Sequence, residues 1–311
     1  MDKRELGKSG IAIAPLMLGG NVFGWTADEA ASFAVLDAFV DLGFNAIDTA
    51  DVYSRFVPGH VGGESETVIG KWFKQSGKRD KVVLATKVGL DMGEGRSLRR
   101  EYIMRMAEAS LKRLQTDVID LYQSHRDHKD SPLEETLRAY EDLIQQGKVR
   151  AIGASNYTAE RLQQSLDTSK RLGVARYETL QPLYNLYNRD EYEGALQQLC
   201  VAENISVIPY FGLAAGFLTG KYRSEADTQG SQRGGMIKGY LNERGFAMLA
   251  TLDAIAAETN ATPAQIALAW LMAKPGVSPI ASATSVKQLK DIAGAATLKL
   301  SADAMRRLDA A

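Results

Sequence analysis

Short apolar runs alternate with amphipathic helical stretches along the chain, and nothing else restricts its fold as strongly. Runs of strand character fall at 16–18, 45–48, 81–87, 118–123, 149–154, 178–182, 206–210 and 276–281. Helical stretches lie between them. The first is capped by Asp28 and stopped by Gly43; others cover 64–75, 98–114, 132–147, 159–172 and 193–203. About eight strands, each followed by helix, predict a parallel sheet with helical crossovers. The runs Val82-Val83-Leu84-Ala85 and Val207-Ile208-Pro209 are apolar at consecutive positions, which suits strands covered on both faces. An open doubly wound sheet would carry Gly-x-Gly-x-x-Gly after its first strand, leading into a helix. Here that place reads Leu18-Gly19-Gly20-Asn21-Val22-Phe23-Gly24-Trp25 with no helix opening on it. The expectation is therefore an α/β chain folded as a (β/α)8 TIM barrel, one domain over 1–311. A small hairpin around Gly7-Lys8-Ser9-Gly10 precedes it.

Two stretches break the beat. Residues 55–63 carry Pro58, Gly59, Gly62 and Gly63, and residues 221–240, after the seventh strand, are long, polar and rich in Gly and Ser. Loops of such length are usually functional or disordered, and in a barrel the loops after strands lie on the catalytic face. The formal net charge of -1 argues against nucleic acid or an acidic membrane as partner. No signal-like apolar segment follows Met1-Asp2-Lys3-Arg4-Glu5, and no run reaches bilayer-spanning length, so a soluble, cytoplasmic protein is expected. The lone Cys200 fits a reducing compartment and, among helical residues without a His or Asn signature, reads as structural.

Polar groups stand at the C-terminal ends of several strands: Asp48, Lys87, His125, Ser155 with Asn156, Gln181 and Tyr210, while Tyr53 lies on the loop just beyond Asp48. A barrel points all these ends into one mouth. A free phenol is a reluctant acid at neutral pH; a neighbouring ammonium favours phenolate, and a carboxylate can hold that ammonium. Tyr53 is thus expected to donate a proton to a carbonyl oxygen, with Lys87 lowering its pKa, Asp48 partnering Lys87, and His125 orienting the carbonyl. Each residue has a plainer reading: Asp48 as a turn residue, Lys87 as a Schiff-base lysine, His125 with His60 and His128 as metal ligands. The set taken together favours proton chemistry, and no metal is expected.

These residues sit in segments that resemble the aldo-keto reductase superfamily over nearly the whole length. They are Gly43-Phe44-Asn45-Ala46-Ile47-Asp48-Thr49-Ala50 with Tyr53, Ala85-Thr86-Lys87, Asp120-Leu121-Tyr122-Gln123-Ser124-His125, the run 147–156, and Gln181-Pro182-Leu183-Tyr184-Asn185. The resemblance implies a (β/α)8 barrel that reduces aldehydes and ketones with NADPH, NADH being the alternative, and gives the catalytic roles to Asp48, Tyr53, Lys87 and His125. It implies that Ser155, Asn156 and Gln181 hold the nicotinamide amide while Tyr210 stacks on the ring. It further assigns Gly20, Asn21, Asp48, Phe211, Leu213, Ala215, Lys221, Arg233, Ser282, Thr284, Gln288 and Asp291 to the cofactor. Three positions depart from the pattern: Phe211-Gly212 replaces Ser-Pro after Tyr210, no arginine stands at Thr284 or Gln288, and Ile292 replaces an asparagine. A 2′-phosphate would then rely on Thr284, Lys221, Arg233 or Lys287.

Phe23, Trp25 and His60 are candidates for the wall of the substrate pocket, with core packing an equal reading for the two aromatics. The alternative function is a redox-sensing subunit like the channel-associated members of the superfamily, binding NADPH with weak turnover. Oligomeric partners are not legible.

Overall fold

The computed structural model describes residues 2–230, 232 and 234–311. The first strands, β1 (Arg4–Glu5) and β2 (Ala12–Ile13), pair antiparallel as the expected hairpin. Eight parallel strands follow: β3 (Met17–Gly19), β4 (Ala46–Asp48), β5 (Val83–Val88), β6 (Ile119–Ser124), β7 (Val149–Ser155), β8 (Tyr177–Gln181), β9 (Ser206–Val207) and β10 (Ile280–Ala281). Their spatial order is β10-β3-β4-β5-β6-β7-β8-β9. The two ends of that row meet. Val207 N–H donates to Gly276 O at 2.8 Å, Ser278 N–H to Val207 O at 2.8 Å, and Ile280 N–H to Pro209 O at 3.0 Å. The result is a (β/α)8 barrel, as the sequence predicts.

Helices α1 (Glu29–Asp41), α2 (Glu64–Ser76), α3 (Arg100–Leu114), α4 (Leu133–Gln145), α5 (Ala159–Leu172) and α6 (Ala195–Glu203) alternate with the strands. Asp28 caps α1 by accepting from Ala31 N–H at 2.8 Å, worth about 1 kcal/mol. Beyond β9 come α7 (Gly234–Ile237), α8 (Glu243–Thr259), α9 (Pro263–Ala273), α10 (Val286–Ala293) and α11 (Ala302–Ala310). The segment 221–240, expected as a loop, includes short helical turns over Ala226–Thr228 and Lys238–Tyr240 as well as α7. Its apolar residues explain this: Ile237 is buried in the core, and Tyr240 stacks on Phe217 at 5.4 Å between centroids.

Strand side chains alternate between two cores with the two-residue period of a pleated strand. Met17, Ala46, Val83, Ala85, Leu121, Ala151, Ile208 and Ile280 face inward and fill the barrel together with Leu6, Ile11 and Ile13 of the hairpin. Leu18, Ile47, Leu84, Tyr122, Ile152, Leu180 and Val207 face outward against the helices. The hairpin thus stoppers the N-terminal end. Among the described residues, no helix is long and apolar enough to cross a membrane.

Candidate active site

Following each inward column toward its C-terminal end, apolar residues give way to polar ones. Val83 and Ala85 are followed by Lys87, Leu121 by Gln123, Ala46 by Asp48. The register sets these side by side, with Asp48 opposite Ala85 and Lys87 opposite Gln123. Lys87 has no exposed surface, and its ammonium has three acceptors: Asp48 Oδ2 at 2.7 Å, Thr49 O at 2.8 Å and Tyr53 OH at 2.7 Å. Three N–H donors meet three acceptors, so the buried charge is fully satisfied. Asp48 Oδ1 accepts from Gln181 Nε2 at 2.9 Å and Gln123 Nε2 at 3.2 Å, and its Oδ2 also accepts from Tyr53 OH at 3.4 Å. Gln123 is a member of the site that sequence reasoning missed. Gly153 makes room for it: a Cβ there would collide with Thr179 Oγ1 and lie 3.1 Å from Gln123 Cγ.

His125 follows β6, its ring edge-on to Tyr53 at 6.0 Å between centroids. Its carbonyl accepts from Asn156 Nδ2 at 3.0 Å, and its Nδ1 is buried without a partner in the protein. Burial, with the nearby charges of Lys87 and Arg126, holds the His125 pKa well below its usual range, so the imidazole is neutral at pH 7. Burial also lowers the Lys87 ammonium against the opposing pull of Asp48. The sequence reading expected Lys87 to lower the pKa of Tyr53. In the structure two other influences set the direction of its shift. Burial of the phenol, and then the Asp48 carboxylate beside it, push Tyr53 well above the ordinary phenol value. The carboxylate offsets the ammonium it holds, so the phenol feels little net positive charge.

The arrangement is a protonated phenol in contact with an ammonium, a carboxylate fixing both, and a neutral imidazole alongside. It can donate one proton at the barrel mouth. The aldo/keto reductase family model matches residues 15–311. The chain belongs to that family. An uncharacterized oxidoreductase of Bacillus subtilis, YrpG, is 34% identical over 99% of this chain and 95% of its own. The aldo-keto reductase yakc of Schizosaccharomyces pombe, whose name carries NADP(+), is 32% identical over 88% of this chain and 80% of its own. A probable voltage-gated potassium channel subunit beta of Arabidopsis thaliana is 30% identical over 94% and 90%. As an aldo/keto reductase the protein is an oxidoreductase.

Family membership directs attention to the residues expected around a nicotinamide. Ser155 Oγ donates to Gln181 O at 2.9 Å, Asn156 Nδ2 donates to Ser155 Oγ at 3.0 Å, and Tyr210 OH donates to Asn156 Oδ1 at 2.9 Å. Those four therefore form one hydrogen-bonded patch adjoining Asp48 and His125. Beyond it the backbone is left-handed at Phe211, Ala214, Ala215 and Gly216, with φ of 56°, 48°, 57° and 103°. Non-glycine residues held there are strained by about 1 kcal/mol or more each, a condition that clusters at ligand clamps. Leu213 opens this turn, and Lys221 beyond it is exposed, its ammonium 4.8 Å from the Tyr222 ring centre.

The adenosine-end candidates lie after β10. Ser282 Oγ donates to Asn21 Oδ1 at 2.5 Å, tying the loops after β10 and β3, while Gly20 N–H donates to Asp48 O at 2.7 Å. Gln288 Oε1 accepts from Thr284 N–H and Oγ1 at 2.9 and 3.0 Å, and Asp291 Oδ1 accepts from Thr262 Oγ1 at 2.9 Å. Arg233 lies outside the described residues. Hydroxyls, amides, a lysine and a strained glycine-containing turn fit a dinucleotide in chemistry.

The pocket candidates separate. Phe23 is fully buried in the core, the packing alternative held open for it. Trp25 is half-buried and packs edge-on against Phe56 at 4.8 Å; Phe56, 66% exposed, was not a candidate from sequence. His60 is half-buried on the same loop, its N–H donating to Val57 O at 3.0 Å. His128 closes a turn, its Nδ1 3.2 Å from Ser131 Oγ. Among the described residues no three His, Cys, Asp or Glu side chains converge as a metal site requires. Burial raises the Cys200 thiol to about 12, which leaves it inert at neutral pH.

Proposed function

We propose that this aldo/keto reductase reduces aldehydes and ketones to alcohols with NADPH, NADH being the weaker alternative. The observation that carries this reading is the Lys87 ammonium bridging Asp48 and Tyr53 at 2.7 Å each while wholly buried. Ser155, Asn156, Gln181 and Tyr210 would hold the nicotinamide end, Phe211, Leu213, Ala215 and Lys221 the pyrophosphate, and Gly20, Asn21, Ser282, Thr284, Gln288 and Asp291 the remainder. When bound, the cofactor supplies hydride to the carbonyl carbon. Tyr53 keeps its proton in the resting site because burial and Asp48 disfavour phenolate. The carbonyl oxygen becomes far more basic than phenolate as it gains electron density, and Tyr53 then gives it the proton. Lys87 donates to the phenol oxygen and stabilises the phenolate left behind. Neutral His125 orients the carbonyl through a ring N–H, and Asp48 with Gln123 and Gln181 fixes Lys87. A cytoplasmic location agrees with the lone, inert thiol.

Replacing Tyr53 with Phe removes the proton donor and, with it, one of the three acceptors of the Lys87 ammonium. NADPH-dependent reduction of simple aldehydes should fall by about 10² to 10⁴ while NADPH binding, followed by its fluorescence, persists. Undiminished turnover in that variant would overturn the assignment. The relative named as a potassium channel subunit beta supports a second reading, a cofactor-binding regulatory subunit. Robust wild-type turnover across a panel of aldehydes, ketones and sugars separates the two.

A further inference from the structure

Four acids are buried among the described residues: Asp48, Asp51, Glu66 and Asp120. Three of them have a donor on each oxygen. Asp48 is held by Lys87, Gln123 and Gln181. Asp120 accepts from Arg150 Nη1 at 2.6 Å and Arg79 Nη2 at 2.9 Å, and Glu66 from Thr86 Oγ1 at 2.6 Å and Arg113 Nε at 2.7 Å. Asp51 differs. Its side chain is fully buried and neither carboxyl oxygen has a hydrogen-bond partner in the protein; Val52 N–H of the same turn approaches without reaching hydrogen-bond geometry. An ionised carboxyl without a donor is not tolerated in an interior, so this one keeps its proton. Burial first, then the charge of Glu66, push Asp51 well above the usual carboxyl range.

The backbone gives this acid a direction. Pairing of β4 with β5 runs on past Asp48, since Thr49 N–H donates to Ala85 O at 2.8 Å and Asp51 N–H to Lys87 O at 3.3 Å. Thr49 points outward, where its Oγ1 meets Ser65 Oγ of α2 at 2.7 Å, and the two-residue period puts Asp51 on that same face. There the register brings Thr86, which carries Glu66, beside Tyr122, whose OH is also buried without a partner in the protein. The titratable and charged groups that sense Asp51 are Tyr53 on its own loop, Glu66 on α2, Tyr102 and Arg113 on α3, Lys87 on β5, Tyr122 on β6 and Tyr140 on α4. Asp51 also stands where the turns carrying the phenol begin: Tyr53 N–H donates to Ala50 O at 3.3 Å and Arg55 N–H to Val52 O at 3.1 Å. Those turns meet the sheet at Asp51, on the carbonyl of the very residue whose ammonium touches Tyr53 OH. On the far side of Tyr53, Ser54 is buried with a left-handed φ of 72°.

We propose that Asp51 is a positioning residue for Tyr53 and that it acts as an uncharged carboxylic acid. Buried on the helix side of the sheet, it fixes the start of the turns that hold the phenol over Lys87. Being neutral, it leaves the ammonium to Asp48 and Tyr53. The positioning role rests on the reductase reading above; the charge state does not. Without the side chain the phenol is free to drift from the ammonium, and a displacement of about 1 Å can cost about a hundredfold in rate.

Infrared spectra and the pH dependence of stability read the charge state. The spectrum of the wild type minus that of Asp51→Asn should show, at neutral pH, the carbonyl stretch of a protonated carboxylic acid, shifted in D2O. In the unfolded chain Asp51 gives up its proton near the ordinary value of about 3.9. The folded protein keeps it, so above that pH the folded state binds more protons and the folding equilibrium constant falls about tenfold per pH unit. Asp51→Asn has no such proton, and raising the pH from about 5 to about 8 should cost it less stability than the wild type. Kinetics with NADPH and benzaldehyde read the positioning. Asp51→Ala should lower kcat by about tenfold to a hundredfold with KM within about twofold, and Asp51→Asn should recover most of that loss. Wild-type kcat in Asp51→Ala, an equal loss in both variants, or absence of the carboxylic acid band would overturn the inference. If Asp51→Ala does not fold, a tenfold loss of kcat in Asp51→Asn is the overturning result. Turnover of no aldehyde by the wild type would defeat the reductase reading and the positioning role with it, while the band and the pH dependence still decide the charge state.

Discussion

The two ends of the barrel each bury an aspartate against basic side chains, and they use it differently. At the mouth, Asp48 is 1% exposed and holds the Lys87 ammonium, which no solvent reaches. At the floor, Asp120 is 4% exposed and is gripped by Arg79 at 2.9 Å and Arg150 at 2.6 Å, with Leu84 N–H as a further donor at 2.9 Å. The floor arginines are 21% and 51% exposed, and Arg79 also donates to Val82 O, Val118 O and Thr116 Oγ1. Every one of these floor contacts is made within the protein, tying the strand starts together. The mouth instead shares its ammonium with a part-buried phenol. An aspartate paired with a cation therefore serves structure at one end and proton donation at the other, and the difference lies in what the cation touches besides its carboxylate.

That contrast breaks most sharply at Lys87. Replacement by Met removes the ammonium that Asp48 holds and leaves a buried carboxylate with amide and phenol donors. Aldehyde reduction should fall by about 10² or more, and unfolding free energy should drop by about 3–5 kcal/mol. Steady-state rates and denaturant unfolding read the two effects. Retained activity would mean that Tyr53 needs no ammonium, and the mouth would then be no more than a second floor.

Arg79→Ala is the complementary test. It deletes four hydrogen bonds while leaving Asp120 with Arg150 and Leu84 N–H. Stability should fall by about 2–3 kcal/mol, since the bonds are part-buried and partly replaceable by water. kcat/KM should stay within about twofold, because a stability change alone leaves the folded enzyme's transition-state binding intact. A loss of kcat comparable to that of Lys87→Met would erase the division between the ends.

The same contrast explains what could be read from the sequence. Strand β5 was legible because Val82-Val83-Leu84-Ala85 is apolar on both faces, and Lys87 stood out because it interrupts that run near its end. Gln123 did not stand out. Its role depends on the register that sets it opposite Lys87 and on Gly153 leaving it space, neither of which is a local property. The raised pKa of Tyr53 was not legible, because a sequence places an ammonium nearby but shows neither the burial of the phenol nor the carboxylate of Asp48 against it. Helix α9 was missed for a different reason. Ile266, Leu268, Trp270 and Leu271 are all buried, so it has no polar face and no amphipathic stripe to detect. Trp25 was legible as an aromatic near the mouth, whereas its partner Phe56 belongs to a glycine- and proline-rich loop whose path no periodicity predicts.

The smallest effect lies in pH. Burial and the charges of Lys87 and Arg126 hold His125 well below the ordinary imidazole value of about 6.5. The unfolded chain therefore binds more protons than the folded one between 6.5 and the lowered folded value, and stability falls as pH drops through that window. The loss can reach at most about 1.4 kcal/mol per pH unit. His125→Gln has no ionisable ring, so its denaturation midpoint should decline less between neutral and mildly acidic pH than that of the wild type. Equal declines in both proteins would show that the cations at the mouth do not reach His125. The mouth would then be electrostatically closed like the floor, with Lys87 fully absorbed by Asp48 and Tyr53.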